Sequence, residues 1–356
     1  MRSQHYYAAI KKRVFPSKVP DKPFDPLAAT ADELEYYGLP QAPNALADPE
    51  GYAFWHLLLS QPLNIVAPEF PQTPAEFEPY EQVLGLPPST EKFSATFNNL
   101  GHREISWNWS GAYITPVHPL RFNAIIGSWR VPTITMPTTL PHTQDPIDHL
   151  KSSAWIGLDG HRSRLPKASM PQIGTNHYIS TAGGLTTVKY GAWWQWWKAR
   201  PDSTDPENEL IPIENFPVDP GDTIMSGMIV SASQDVLFYI KNQTTGHFSS
   251  FIAVAPGAID PIGATAEWIF ERPTDPHTGS LYALPNYGSV EFTYCLAQAA
   301  AQPLSFGIIQ SLLGNARYIN MRETFPDPER SALVSVTSKR TPTSFLCRFN
   351  EPSGTS

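Results

Sequence analysis

The chain has 356 residues, of which 41% are hydrophobic and 16% are charged. This composition is ample for a packed core and excludes a highly charged, disordered protein. The net charge of −8 argues against nucleic acid as the main partner, because phosphate binding needs concentrated lysine and arginine. No run of about 18 apolar residues occurs, so no membrane span is predicted.

The first 100 residues differ in character from the rest. Ala29–Tyr37 and Tyr52–Leu59 have local helical character within proline-rich, irregular sequence. We therefore predict an N-terminal, partly helical extension over residues 1–100 and a second domain over residues 101–356. Met1–Phe15 contains basic residues but no apolar stretch of secretory length, so no signal peptide is expected.

From Ile105 onward, short runs of aromatic and β-branched residues are bounded by Gly, Pro, Asn and Asp, which is typical of sandwich strands. So many short strands need two packed sheets, and the predicted fold class is an all-β sandwich. The predicted strands are Ile105–Ile114, Phe122–Val131, Ser153–Leu158, Thr187–Lys198, Thr223–Ser231, Val236–Asn242, Phe248–Val254, Thr265–Phe270, Ser289–Tyr294, Ala332–Thr337 and Ser344–Phe349.

One predicted strand, Thr187–Lys198, has tryptophans on both of its faces. Side chains two apart share a face, so Trp193 and Gln195 lie on one side and Trp194 on the other. A face with indoles and an amide favours a concave binding surface. The alternative, that these tryptophans only fill a thick core, stays open.

Common catalytic motifs are absent from the sequence. It has no His-Glu-x-x-His, no Gly-x-Ser-x-Gly, no nucleotide-binding glycine loop, and no Asp-Thr-Gly or Asp-Ser-Gly. The ten histidines are scattered without zinc-site spacing. No metal and no cofactor are therefore predicted. The two cysteines, Cys295 and Cys347, are too few for a disulfide framework, and we expect free thiols rather than one bridge.

Nine short segments stand out in chain order. They are Asn-Trp-Ser-Gly-Ala at 108–112, Gly-Ser-Trp-Arg-Val-Pro at 127–132, Trp-Ile-Gly-Leu-Asp-Gly at 155–160, Gln-Ile-Gly at 172–174, the aromatic run at 190–197, Pro-Gly-Asp-Thr-Ile at 220–224, Asn-Gln-Thr-Thr-Gly at 242–246, Ala-Glu-Trp-Ile at 266–269 and Tyr-Gly-Ser-Val at 287–290. Any one alone is a weak signal, but together, over about residues 105–295, they resemble the eqolisin family of glutamic peptidases.

The resemblance implies a concanavalin-like sandwich whose concave sheet binds polypeptide substrates, and it implies that Gln172 and Glu267 are the catalytic pair. The residues support this in part, because Glu267 alternates with Ala266, Trp268 and Phe270 and so points away from the predicted core. The family's members are made with an N-terminal propeptide and are secreted. We expect a monomer, and an intracellular location stays open because no signal is visible.

The resemblance further places Trp155, Asp159, Trp193 and Gln195 in the substrate cleft, where indoles can hold an extended peptide by burying area. Asp159 precedes a glycine and could equally form a turn.

Three positions depart from the family's pattern. Gly191, Gln195 and Arg272 stand where family members commonly have acids. Fewer carboxylates beside Glu267 should let its pKa fall toward about 4.3. We therefore expect activity at milder pH, roughly 4 to 6, than a fully acidic cleft allows.

Two other functions fit a curved, tryptophan-rich sheet. A glycosidase needs two carboxyl groups that flank the scissile bond, and Gln195 supplies an amide where the second would be expected. A non-catalytic, lectin-like carbohydrate-binding module is the other alternative.

Overall fold

The computed structural model describes residues 12–71, 103–138, 149–162, 169–181, 185–198, 210–231, 235–255, 261–274, 281–300, 308–311, 316–323 and 332–351. The helices described in full are α1 (Ala31–Tyr36) and α2 (Pro49–Leu59). The strands are β1 Val14–Pro16, β2 Asn64–Ile65, β3 Arg103–Ser106, β4 Trp109–Ile114, β5 Arg121–Arg130, β6 His149–Leu158, β7 Ser169–Ser180, β8 Thr187–Lys198, β9 Ile211–Pro212, β10 Thr223–Val230, β11 Val236–Asn242, β12 His247–Ala253, β13 Ala266–Glu271, β14 Ser289–Ala300, β15 Ile308–Ser311, β16 Arg317–Arg322, β17 Leu333–Thr341 and β18 Ser344–Phe349.

These strands form two packed layers. In the front sheet the order is β16–β4–β13–β6–β7–β8, with antiparallel pairing throughout. In the back sheet the order is β12–β11–β10–β5–β14, also antiparallel. The strands β17 and β18 join the two layers through β16 and β14. The predicted all-β sandwich is therefore confirmed.

The core lies between the two sheets. Register places Trp194, Ile173, Ile156, Trp268 and Ala112 in one row across the inner face of the front sheet, and all five are buried. Two indoles also bond across the layers, from Trp268 Nε1 to Ile126 O at 2.7 Å and from Trp129 Nε1 to Thr175 Oγ1 at 3.0 Å. Apolar burial and satisfied indole N–H groups thus hold the layers together.

The predicted strand bounds are confirmed for β8, β11 and β18. Several observed strands are absent from the prediction, among them β16 and the long strand β7, which contains Gln172. Pro171 and Gly174 are both unfavourable in a strand interior, so the local sequence conceals a strand that pairing with β6 and β8 stabilises.

The described part of the N-terminal extension packs on the back sheet. The strand β1 pairs antiparallel with β12, and β2 pairs parallel with it. Helix α2 begins at Asp48, whose carboxylate accepts from Gly51 N at 2.9 Å, and Pro49 follows at the first turn. Its buried residues Phe54 and Leu58 pack in one cluster with Met225 and Tyr239 of the back sheet.

The extension also reaches the main core at its far end. Phe70 is buried against Phe251 of β12 and Trp194 of β8, with ring centroids 5.2 Å and 6.2 Å away. Residues 12–71 therefore share apolar packing with both layers of the sandwich.

Cys295 and Cys347 are buried free thiols, as expected. Of the helices in the described part of the chain, none is long and apolar enough to cross a membrane.

Candidate active site

The two predicted catalytic residues flank one glycine of the front sheet. Gly157 of β6 pairs in register with Gln172 of β7 on one side and with Glu267 of β13 on the other. Residues opposite each other share a face, so both side chains project from the outer face of the front sheet. Two interstrand steps separate their backbones by about 10 Å. Gly157 has no side chain, and the indole of Trp155 lies beside it, 2.9 Å from where a Cβ atom would be.

Gln195 lies beside Gln172 in the same row. The two residues are paired in register, and Gln172 Nε2 donates a hydrogen bond to Gln195 Oε1. This bond uses one of the two N–H groups of the Gln172 amide. The buried Gln172 Oε1 has no hydrogen-bond partner among the described residues. Gln195 thus orients the Gln172 amide and leaves one donor and one acceptor for other groups.

The carboxyl group of Glu267 is buried under the turn that follows β6. His161 N, in the 3-10 turn Gly160–Arg162, donates to Glu267 Oε1 at 3.1 Å. Glu267 Oε2 is buried without a hydrogen-bond partner in the described chain. The acceptors Glu267 Oε2 and Gln172 Oε1 on either side of Gly157 are groups that one water molecule could satisfy.

Burial raises the pKa of Glu267 to about 8. The Thr265 hydroxyl and the backbone N–H groups of His161 and Gly160 lower it, whereas the charge of Asp159 raises it further. The prediction that this pKa falls toward its ordinary value is therefore wrong for this structure. Desolvation outweighs the loss of neighbouring acids at Gly191 and Gln195.

The predicted cleft tryptophans lie on the same outer face and are buried. Trp155 Nε1 donates to Glu271 Oε2 at 2.7 Å, and Trp193 Nε1 donates to Ser153 Oγ at 3.1 Å. Neither indole is open to solvent, and the Gln172 and Glu267 side chains are equally buried. The face that carries these residues is therefore closed to solvent in this structure.

Asp159 forms a turn, which is one of the two roles that the sequence left open, rather than presenting its carboxylate to a cleft. Its buried carboxylate accepts from the backbone N–H groups of Ile262, Gly263 and Ala264, at 2.6 to 3.0 Å. Its own backbone has a φ of 68°, in the left-handed region that turns use. These bonds hold the chain before β13 in place, and they occupy the carboxylate that the resemblance assigned to the cleft.

Glu271 belongs to none of the sequence motifs, yet it lies on the same face as Glu267. It accepts from Trp155 Nε1 and, at 3.4 Å, from Asn108 Nδ2, and burial raises its pKa to about 8. Strand alternation from Glu267 would have placed it there. Arg272, the next residue, points to the other face and pairs with Glu323 at 3.0 Å.

A second missed group adjoins Glu267 on its other side. Tyr113 of β4 stands opposite Glu267 in register, and its ring stacks on that of His161 with centroids 4.1 Å apart. The row across the outer face is thus Gln195, Gln172, Gly157, Glu267 and Tyr113.

A family model for the Peptidase A4 family matches residues 107–336. The chain belongs to the Peptidase A4 family. This match confirms the resemblance to the eqolisins and identifies the chain as a glutamic-type peptidase, a hydrolase of peptide bonds. All six predicted site residues lie inside the matched range.

Several solved structures are similar to this Peptidase A4 chain. A scytalido-glutamic peptidase with a transition state analog inhibitor is 18% identical with a TM-score of 0.49, covering 69% of this chain and 99% of its own. SCP-B, a member of the eqolisin family in complex with the tripeptide Ala-Ile-His, is 18% identical with a TM-score of 0.46 at the same coverages of 69% and 99%. The aspergilloglutamic peptidase from Aspergillus niger is 21% identical with a TM-score of 0.41, covering 56% of this chain and 99% of its own. A comparison with curated proteins gave no match.

Proposed function

We propose that this peptidase is an endopeptidase that hydrolyses polypeptides through the pair Gln172 and Glu267. When the outer face opens to water and substrate, Glu267 is no longer desolvated and ionises. The carboxylate then takes a proton from a water molecule held between the two side chains, and the oxygen of that water attacks the scissile carbonyl. The second N–H of Gln172 Nε2 donates to the developing oxyanion. Protonated Glu267 then returns its proton to the leaving amine, and no covalent intermediate forms.

The observation that carries this proposal is the shared pairing of Gln172 and Glu267 with Gly157. It sets an amide and a carboxyl on one face with a gap of about two strand spacings between their backbones. Each group also has one buried oxygen without a partner in the described chain. A water molecule in this gap would be bound by both residues.

The same face supports a glycosidase less well. Two other buried carboxyls lie near Glu267. The Asp159 carboxylate is occupied by three backbone N–H groups, and Glu271 is four residues along β13 from Glu267. At about 3.3 Å a residue, the two backbone positions are roughly 13 Å apart. Carboxyl pairs in glycosidases are about 5 to 9.5 Å apart, and here the indole of Trp155 binds Glu271 directly.

The test is cleavage of denatured protein across pH 2 to 8, with pepstatin present to inhibit ordinary aspartic peptidases. Glu267→Gln should lower the rate by about a hundred-fold or more, because it removes the general base. Glu291→Gln is the matched control, since Glu291 is an exposed strand glutamate on β14. If Glu267→Gln keeps more than a tenth of the wild-type rate, the assignment of the base is wrong.

We further propose that the full-length chain is a zymogen. The buried Gln172 and Glu267 support this, since the proposed reaction needs substrate at both groups. Residues 12–71 pack into the sandwich, so we expect a cut C-terminal to Pro71 that leaves this segment attached by its apolar contacts. After acid incubation, N-terminal sequencing and native mass measurement should find two N-termini in one particle. A fully active chain that is still uncut would contradict this proposal.

A further inference from the structure

A side-chain network that the proposed mechanism does not use lies against Glu267. The Tyr113 hydroxyl donates to Glu104 Oε1 at 2.7 Å and lies 3.0 Å from His161 Nε2. A hydroxyl carries one hydrogen, so Tyr113 accepts its second bond from the imidazole. His161 Nε2 therefore carries a proton, and one hydrogen bond and one ring stack fix the position of this histidine relative to Tyr113.

The network is anchored at the protein surface. Arg317 NH1 donates to Glu104 Oε1 at 3.3 Å, and the Arg317 side chain is 42% exposed against 10% for Glu104. His161 Nε2 also lies 4.0 Å from Glu104 Oε2. The Glu104 carboxylate thus contacts Tyr113, Arg317 and His161, and these contacts limit how far the three side chains can move.

The backbone of His161 connects this network to the proposed general base, because its N–H is the donor to Glu267 Oε1. We propose, on the basis of the proposed function, that Tyr113 is a positioning residue for Glu267. By fixing the His161 ring, Tyr113 keeps the turn Gly160–Arg162 in place above Glu267, so that the backbone N–H of His161 stays hydrogen-bonded to Glu267 Oε1.

A donor to a carboxylate favours its ionised form. If the Tyr113 hydroxyl is lost, the His161 ring keeps its stacking partner but loses its hydrogen bond, and the backbone donor becomes less well placed. The pKa of Glu267 should then rise. The titratable, charged and polar groups that surround Glu267 are Asp159 before the turn, Gln172 and Gln195 on the neighbouring strands, Glu271 on its own strand, and Tyr113, His161, Glu104 and Arg317 on the far side.

The experiment compares Tyr113→Phe with the matched control Tyr318→Phe in the full-length chain. Tyr318 lies on β16, and its buried hydroxyl oxygen has no hydrogen-bond partner among the described residues. The Glu267 carboxyl is followed by ¹³C NMR against pH, with Glu267→Gln used for assignment. The acidic limb of kcat/KM is measured in parallel on the same variants after acid activation, because the uncut chain is proposed to be a zymogen. In Tyr113→Phe, we expect the pKa of Glu267 and the acidic limb of kcat/KM to rise by on the order of one pH unit. In Tyr318→Phe, we expect neither to change.

A folded Tyr113→Phe with an unchanged Glu267 titration would overturn the proposal. A shifted titration in a chain that shows no peptidase activity even after acid activation would keep the positioning role and refute the proposed function, so the two failures are distinguishable. If Tyr113→Phe does not fold, Glu104→Gln retains an acceptor for the hydroxyl and removes the charge that holds Arg317 and His161. It should give a smaller rise in the same direction, and no rise would equally overturn the proposal.

Discussion

The two faces of the front sheet are both buried, yet they differ in chemistry. The inner face presents residues such as Ile156, Ile173 and Trp268 to the back sheet, and the Trp268 N–H has its partner. The outer face carries Gln172 and Glu267, each with a buried oxygen that lacks a partner in the described chain. The inner face therefore stabilises the fold, whereas the outer face carries an energetic cost of the kind found at functional sites.

The strongest test of this contrast is Trp268→Ala on the inner face. The substitution removes a fully buried indole and its 2.7 Å bond to the back sheet. We expect the free energy of unfolding to fall by about 3 to 5 kcal/mol, because a cavity of that size does not close. Urea unfolding followed by circular dichroism would measure it. A loss below about 1 kcal/mol would show that Trp268 does not link the layers.

On the outer face, Gln172→Ala should lower the rate of cleavage and leave the stability nearly unchanged. It removes the proposed oxyanion donor, for which the expected loss of rate is about a hundred- to a thousand-fold. The free energy of unfolding should change little, because the substitution also removes a buried oxygen that lacks a partner among the described residues. Single-turnover cleavage and urea unfolding of the same preparation measure the two effects. A variant that unfolds easily but cleaves normally would reverse the assignment of the two faces.

The dependence of stability on pH should also come from the outer face. Glu267 and Glu271 hold their protons to about pH 8 in the folded state, whereas an unfolded glutamate loses its proton near pH 4.3. The folded state thus binds more protons in this interval, so stability is greatest at acid pH and falls as pH rises toward 8. Each carboxyl contributes at most about 1.4 kcal/mol per pH unit.

One inner-face group acts in the opposite direction at lower pH. Burial lowers the pKa of His177 to about 3, so protonation of the unfolded chain reduces stability below about pH 6.5. Burial also lowers the pKa of Lys241 to about 8, and its deprotonation opposes the two carboxyls near that pH. The clean comparison is therefore between pH 6.5 and pH 7.5. Urea midpoints should fall over this interval in the wild type, and about half as steeply in Glu267→Gln. Equal slopes in both proteins would show that Glu267 is already ionised at pH 6.5.

The residues that face the core and the identity of the pair Gln172 and Glu267 could be predicted from the sequence. The burial of that pair and its effect on the pKa of Glu267 could not. Alternation along β8 and β13 sets which residues face the core, and the motifs at 172–174 and 266–269 mark the pair. The strand around Gln172 was missed because Pro171 and Gly174 conceal it until β6 and β8 pair with it. The raised pKa of Glu267 depends on burial by distant segments, which one strand's sequence does not encode.

The smallest predicted effect concerns Gly157. This residue lies between Gln172 and Glu267 and has no side chain on the outer face. A Cβ atom at this position would lie 2.9 Å from the Trp155 ring and 3.4 Å from Gln172 Cβ, on the outer face. Gly157→Ala should therefore narrow the space for water between Gln172 and Glu267 and displace the indole. A misplacement of the reacting groups of less than 1 Å should lower kcat by about ten-fold, since about 1 Å can cost a hundred-fold.

The matched control for this substitution is Gly191→Ala on the same face of β8, where no atom lies within 4 Å of an added Cβ. It should leave kcat unchanged. Gly191→Ala should unfold at nearly the wild-type urea concentration, whereas Gly157→Ala should lose about 1 to 3 kcal/mol because its methyl group overpacks the buried Trp155 ring. If Gly157→Ala cleaves at the wild-type rate while its indole has moved, the water lies elsewhere and the gap above Gly157 is not where the proposed attack begins.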